Sequence, residues 1–188
     1  MTYSQHKIIL ITLISIIAIS PSSSHRDIPK SSEIEKYLRD ISSNTNESNW
    51  SWQILKSELS QFNDTDPRKI ADTIVVLAKT KGEQIHEELD RLYEASGDDK
   101  LIYKYGSCSK NYSDAIRNLY LVRRDIELNK DRNIVIEVDD AFEELNSCGS
   151  QFEDGSFDPA HVWERNREFR VYLEIVKVAT DCNLLKKK

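Results

Sequence analysis

Glycine and proline are scarce, with five and four respectively in 188 residues. So little turn chemistry argues against a fold of many short strands and tight hairpins, and apolar–polar alternation of the strand type is scarce as well. The glycines at 82, 97, 106, 149 and 155 form neither a G-x-G-x-x-G nor a P-loop, so no phosphate cradle is expected. Histidine is rare too. His6 falls in an N-terminal leader, and His25, His86 and His161 are far apart with no paired-ligand motif, which argues against a metal centre. There is no G-x-S-x-G elbow, and acidic pairs such as Asp139–Asp140 and Glu143–Glu144 are adjacent on a helix, pointing to different azimuths instead of facing each other. No catalytic residue, metal or cofactor is therefore expected. Positive charge is in the minority, 26 Lys and Arg against 32 Asp and Glu, with no basic stripe, which argues against nucleic acid as a partner.

Lys7 precedes an apolar run from Ile8 to Ile19, followed by Ser20, Pro21 and the small residues Ser22, Ser23 and Ser24. That is the layout of a secretory signal peptide, expected over residues 1–24. The run is shorter than the roughly 20 residues that span a bilayer, and nothing later approaches that length. Residues 25–188 are thus expected to form one secreted, extracellular domain without a membrane segment. Four N-x-S/T sequons, at Asn46, Asn49, Asn63 and Asn111, are glycosylation candidates consistent with that route.

Apolar residues recur at steps of three and four along most of the mature chain, and the fold class expected is all-α. Two short helices over residues 31–61, around a polar turn from Ser42 to Asn49, form an arm. Asp66 before Pro67 is a helix start, a capping side chain followed by proline at the first helical position. A long helix then runs to Ala95, and others cover Asp99–Glu127, Asn133–Phe152 and Pro159–Leu185. Long amphipathic helices on short links predict an up-and-down four-helix bundle over residues 66–185, with the helical hairpin as its N-terminal arm. Trp50, Trp52 and Trp163, at helical spacing beside aliphatic residues, are expected in the core.

Cys108 and Cys148 each lie on an apolar stripe and are symmetric about Leu128, so a hairpin turning between Leu128 and Asn133 brings them face to face. Either a disulfide or two buried thiols would satisfy this, and an oxidising compartment favours the disulfide. Cys182, the third cysteine, sits on the stripe of the last helix and is expected as a small buried hydrophobe.

These motifs together resemble the plant invertase and pectin methylesterase inhibitor family. The third-helix pattern of that family is matched by Cys108, Tyr112, Ala115 and Leu119, and the next by Ala141, Cys148 and Phe152; Asn166 and the closing Asn183, Leu184 and Leu185 also fit. The resemblance covers about residues 31–185. It departs at one point: two cysteines that staple the family's N-terminal hairpin fall on Ser42 and Ser51 when its threonine is aligned with Thr45. The resemblance implies a non-enzymatic inhibitor that docks on a cell-wall enzyme in the apoplast and blocks its substrate cleft, with the arm available for self-association.

Invertase-directed members present Pro-Lys-Phe at the turn between the second and third bundle helices, where this chain has Asn129, Lys130, Asp131, Arg132 and Asn133. The missing motif favours pectin methylesterase over acid invertase, with Lys130, Asp131 and Arg132 as candidate target contacts. The competing expectations are a non-inhibitory secreted bundle that binds another partner, for which loss of the hairpin staple argues, and a bundle carrying a small apolar ligand, which the bulky stripes oppose.

Overall fold

The computed structural model describes residues 29–152 and 158–186. The leader and His25 lie outside the described residues. Seven helices follow in order: α1 (Pro29–Ser43), α2 (Ser48–Glu58), α3 (Pro67–Ala95), α4 (Asp99–Glu127), α5 (Asp131–Ser150), α6 (Val162–Ala179) and α7 (Cys182–Leu185), with no strand among the described residues. None of these helices is long and apolar enough to cross a membrane.

Local chemistry explains the boundaries. Asp66 accepts from the Arg68 N–H at 3.0 Å, capping α3 just before Pro67. Asp98 accepts from Lys100 at 2.8 Å and Leu101 at 3.1 Å, so only three residues separate α3 from α4. Asn129 takes a left-handed φ of 55°, a conformation asparagine tolerates. The Lys130 N–H then donates to the Asp125 carbonyl at 2.9 Å, and the chain reverses into α5. Asp131 stands in the first turn of α5, where a negative charge is favoured by the helix dipole.

The last two long helices differ in extent from expectation. The last helix does not run from Pro159 to Leu185. It starts at Val162, after His161 adopts a left-handed φ of 53°, and stops at Ala179. There Thr180 turns its hydroxyl back to the Val176 carbonyl, and Asp181 caps a new helix by accepting from Asn183 at 2.7 Å. Helix α5 starts at Asp131, two residues before Asn133.

Helix α3 packs on α4 and α6, and α5 also packs on α4 and α6, so the four close into a ring in chain order. This is the expected up-and-down bundle. Its interior is built from Ile70, Ile74, Ile85 and Leu89 of α3, Leu119 and Val122 of α4, Ile134 and Val138 of α5, and Leu173 and Val176 of α6. Tyr112 and Phe169 meet with ring centroids 5.2 Å apart, and the Tyr112 hydroxyl donates to Asn166 Oδ1 at 2.8 Å, satisfying the buried phenol. Gly82 lies against that aromatic layer, where an added Cβ would come within 3.1 Å of the Phe169 ring and 3.2 Å of Ile116. A helix-interior glycine costs about 1 kcal/mol relative to alanine, and here it lets α3 approach Phe169 closely.

Two packing expectations are corrected. Trp163 is 50% exposed instead of lying in the core, because the later start of α6 puts it in the first turn on the outer face. Cys182 is a free thiol, half-buried, since the break at Asp181 takes it off the α6 stripe. Trp50 and Trp52 are partly buried and pack against the core as expected.

Candidate target-binding surface

Cys108 and Cys148 form a disulfide, with sulfurs 2.08 Å and Cα atoms 4.6 Å apart, joining the middle of α4 to the last turns of α5. Of the two outcomes the spacing left open, the bridge is the one found. It fixes the α4–α5 hairpin at one end, and the turn from Leu128 to Lys130 closes it at the other.

That turn carries the candidate contact residues. Lys130 and Arg132 are exposed. Asp131 is not free: its carboxylate pairs with Arg68 of α3 at 2.8 Å, while Arg68 also donates to the Ile126 carbonyl. Asp131 thus locks the turn to the bundle and leaves two cations to project from it. Three apolar side chains accompany them, Leu128 (52% exposed), Val135 (49%) and Ile136 (60%). Sequence reasoning found the charges and missed this patch. The signal was present, because successive helical residues are about 100° apart in azimuth and the run Ile134–Val135–Ile136 cannot point one way. Ile134 takes the inward position.

Below the surface, Asp125 is fully buried, with one carboxylate oxygen 3.2 Å from the Arg124 guanidinium and the other unpartnered. Glu137 of α5 has its pKa raised, chiefly by burial and then by the charges of Asp140 and Asp125, with Arg124 and Arg117 opposing.

The arm has no cross-link, but its turn is hydrogen-bonded. Ser42 and Ser51, at the positions of the missing cysteines, are both buried. The Thr45 hydroxyl donates to the Ser42 carbonyl at 2.8 Å and shares a hydrogen bond of 2.8 Å with the Ser51 hydroxyl. The arm rests on α6. Both the backbone and the side-chain N–H groups of Asn46 donate to the Glu174 carboxylate, at 3.0 and 2.9 Å, and Arg167 pairs with Glu47 at 3.1 Å. Arg39 stacks 4.0 Å over the Trp52 ring within the hairpin.

The sequons divide by geometry. Asn49 and Asn63 are exposed, at the start of α2 and in the α2–α3 link. Asn46 and Asn111 have their amide nitrogens, the atoms a glycan would modify, bonded to Glu174 and to Glu144 at 2.9 and 2.8 Å.

One cluster was invisible in the sequence. His86 and Asp90, four apart on α3, meet Ser109 of α4: the serine hydroxyl donates to Asp90 and lies 3.4 Å from His86 Nε2, while His86 Nδ1 is 3.4 Å from the Asp90 carboxylate. The three form a closed triangle instead of a relay. Ser109 spends its proton on Asp90, and it sits mid-helix, where backbone N–H groups are committed and none is aimed at an oxyanion. The cluster joins α3 to α4. The His86–Asp90 spacing could be read in sequence, but the register that brings Ser109 beside it could not. Among the described residues, no group of three or more His, Cys, Asp or Glu is placed to hold a metal ion.

A ring of four antiparallel helices, bridged once by a disulfide and carrying a helical hairpin on its last long helix, defines an all-α stapled-bundle fold. Among solved structures it is similar to mutant form A of a pectin methylesterase inhibitor from Arabidopsis, with a TM-score of 0.67 and 17% identity, over 77% of this chain and 95% of that one. A pectin methylesterase inhibitor from Arabidopsis thaliana superposes with a TM-score of 0.58 and 18% identity, over 81% of this chain and 98% of that one. The chain has the fold of these inhibitors. No protein-family model and no curated protein matches its sequence.

Proposed function

We propose that this protein is a secreted, non-enzymatic inhibitor of pectin methylesterase that acts in the apoplast by docking on the enzyme and covering its substrate cleft. The observation that carries this reading is the fold likeness, which extends over nearly the whole length of two pectin methylesterase inhibitors. The signal-peptide layout of residues 1–24 supports secretion. The contact surface is the α4–α5 end of the bundle, which exposes the apolar side chains of Leu128, Val135 and Ile136 together with the cations Lys130 and Arg132. An apolar centre with a charged rim is the common anatomy of a protein interface. A stable complex requires about 1,200 Å² or more of buried surface, so neighbouring parts of α4 and α5 join the contact. The two cations favour an acidic rim on the enzyme, which makes association faster at low salt.

The test is titration of the purified mature protein into pectin methylesterase and, separately, cell-wall acid invertase at apoplastic pH. Stoichiometric loss of pectin methylesterase activity with invertase untouched is the expected result. Loss of invertase activity alone reassigns the target. No effect on either enzyme overturns the inhibitor reading in favour of a non-inhibitory binding protein.

A further inference from the structure

The outer seam between α5 and α6 contains a cleft of about 240 Å³ bordered by Asn146, Gly149, Trp163, Asn166, Arg167 and Arg170. Trp163, Asn166, Arg167 and Arg170 recur at helical steps of three, one and three, so α6 presents them on one face. We propose that this cleft binds a single acidic sugar residue, a pyranose ring bearing a carboxylate.

Each wall supplies one part of that chemistry. Trp163, half exposed at one end, offers a flat apolar face with a polar N–H at its edge, suited to the C–H face of a sugar ring. Arg170 is held against the Phe142 ring, 6.0 Å from its centroid, and donates to Asn146 Oδ1. Asn146 is neutral, so that bond orients the guanidinium without cancelling its charge, and the remaining N–H groups suit a carboxylate. Arg167, which gives part of its charge to Glu47, adds a second cation at the side of the arm. The Asn146 amide, whose Oδ1 accepts from Arg170, turns its N–H groups to a sugar hydroxyl, while Asn166, committed through Oδ1 to Tyr112 and through Nδ2 to the Leu145 carbonyl, forms part of the wall.

Gly149 keeps the floor open. An added Cβ would lie 3.3 Å from Asn166 Nδ2, and a larger side chain would occupy the cleft. The volume falls below the 300–1,000 Å³ usual for drug-sized ligands, which selects one ring over a longer buried segment. The cleft stands about 25 Å along α5 from the α4–α5 turn, at 1.5 Å per residue. One molecule can therefore hold an acidic glycan and a protein partner at once. This inference does not depend on the inhibitor reading.

The test uses the full mature protein and its tryptophan indole N–H signals in NMR, with Trp163 assigned from Trp163→Phe. Titration with galacturonate and glucuronate should shift the Trp163 signal saturably, with a Kd on the order of 1 mM as expected for so small a ligand. Galactose and glucose should bind at least tenfold more weakly, and Arg170→Gln should weaken uronate binding about tenfold or more. Both substituted side chains are at the surface, and unchanged far-ultraviolet circular dichroism checks the fold. Equal response to neutral sugars, an equal response to acetate or inorganic phosphate, or full binding by Arg170→Gln would each overturn the proposal. So would the absence of any saturable shift. Enzyme-inhibition titrations of the same variants separate the two ideas, since Arg170→Gln should inhibit as the parent chain does.

Discussion

Thr45 holds the turn of the arm together with one hydroxyl, which bonds to the Ser42 carbonyl and the Ser51 side chain inside a site closed to water. Replacing it by valine keeps the shape and leaves Ser51 without that partner. A buried polar group left unpaired costs about 1–3 kcal/mol, so Thr45→Val should lower unfolding free energy by that amount in urea denaturation, and a change below about 0.5 kcal/mol would show that the network contributes nothing. Glu137 is the residue whose ionisation opposes folding. Its pKa is raised by burial and by Asp140 and Asp125, so the folded chain holds the proton more tightly than the unfolded chain does. The charge therefore costs stability at neutral pH, and that cost fades as pH falls through the raised pKa. Glu137→Gln should raise Tm at pH 7, with the gain shrinking on acidification and gone below about pH 4, where the unfolded carboxyl is protonated as well. A Tm difference that grew toward acid pH would reverse the sign and reject this account.

Among the elements, the α4–α5 hairpin has a covalent bridge and the arm does not. The Cys108–Cys148 bridge closes a loop of 40 residues. In the chain-entropy model its removal costs about 4 kcal/mol, and Cys108→Ala with Cys148→Ala should show a loss of that order in urea unfolding. The arm gives the converse experiment: Ser42→Cys with Ser51→Cys would restore the staple implied by the family resemblance, with an expected gain of about 2.5 kcal/mol for so short a loop. Quantitative thiol labelling reports whether the new bond forms, and failure to form would mean that the serines do not oppose each other as their burial implies. The same contrast explains what the sequence revealed. Helices α3, α4 and α5 were legible within two residues because their stripes are long, and the start of α3 was legible from Asp66 before Pro67. The bridge was legible because two stripes of equal length flank one turn. The end of α6 was not, since Thr180 and Asp181 break the helix without a glycine or proline to announce it. Cys182 was misplaced for that reason, having been assigned to a stripe longer than the helix that forms, whereas Trp163 was misplaced because α6 begins only at Val162 and leaves it in the outer first turn. The candidate surface was half legible: charge shows in sequence, but the exposure of Val135 and Ile136 depends on which of three neighbouring apolar residues turns inward.

At the scale of the whole molecule, the fold separates its tasks along one axis. The disulfide and the Tyr112–Asn166 hydrogen bond hold the interior, the arm is clamped to α6 through Asn46 and Glu174, and the Leu128–Lys130 turn is fastened to α3 by Arg68 and Asp131. A turn held in this way presents its neighbours as a rigid surface, so little conformational entropy is lost when a partner docks. Ile136 is the most exposed of the three apolar side chains there, and its exposure costs nothing that folding could recover. Under the proposed function it becomes buried in the complex, worth about 1.5–3 kcal/mol for a side chain of that size. Ile136→Asp should therefore leave Tm within about 1 °C of the parent while weakening inhibition of pectin methylesterase roughly 10- to 100-fold. The double variant Lys130→Ala with Arg132→Ala should act differently, slowing association at low salt with little effect at high salt, because exposed cations steer encounter more than they hold the bound state. Measuring association and dissociation rates separately distinguishes the two. If Ile136→Asp inhibits as well as the parent, the α4–α5 end is not the docking surface, even if the chain proves to be an inhibitor.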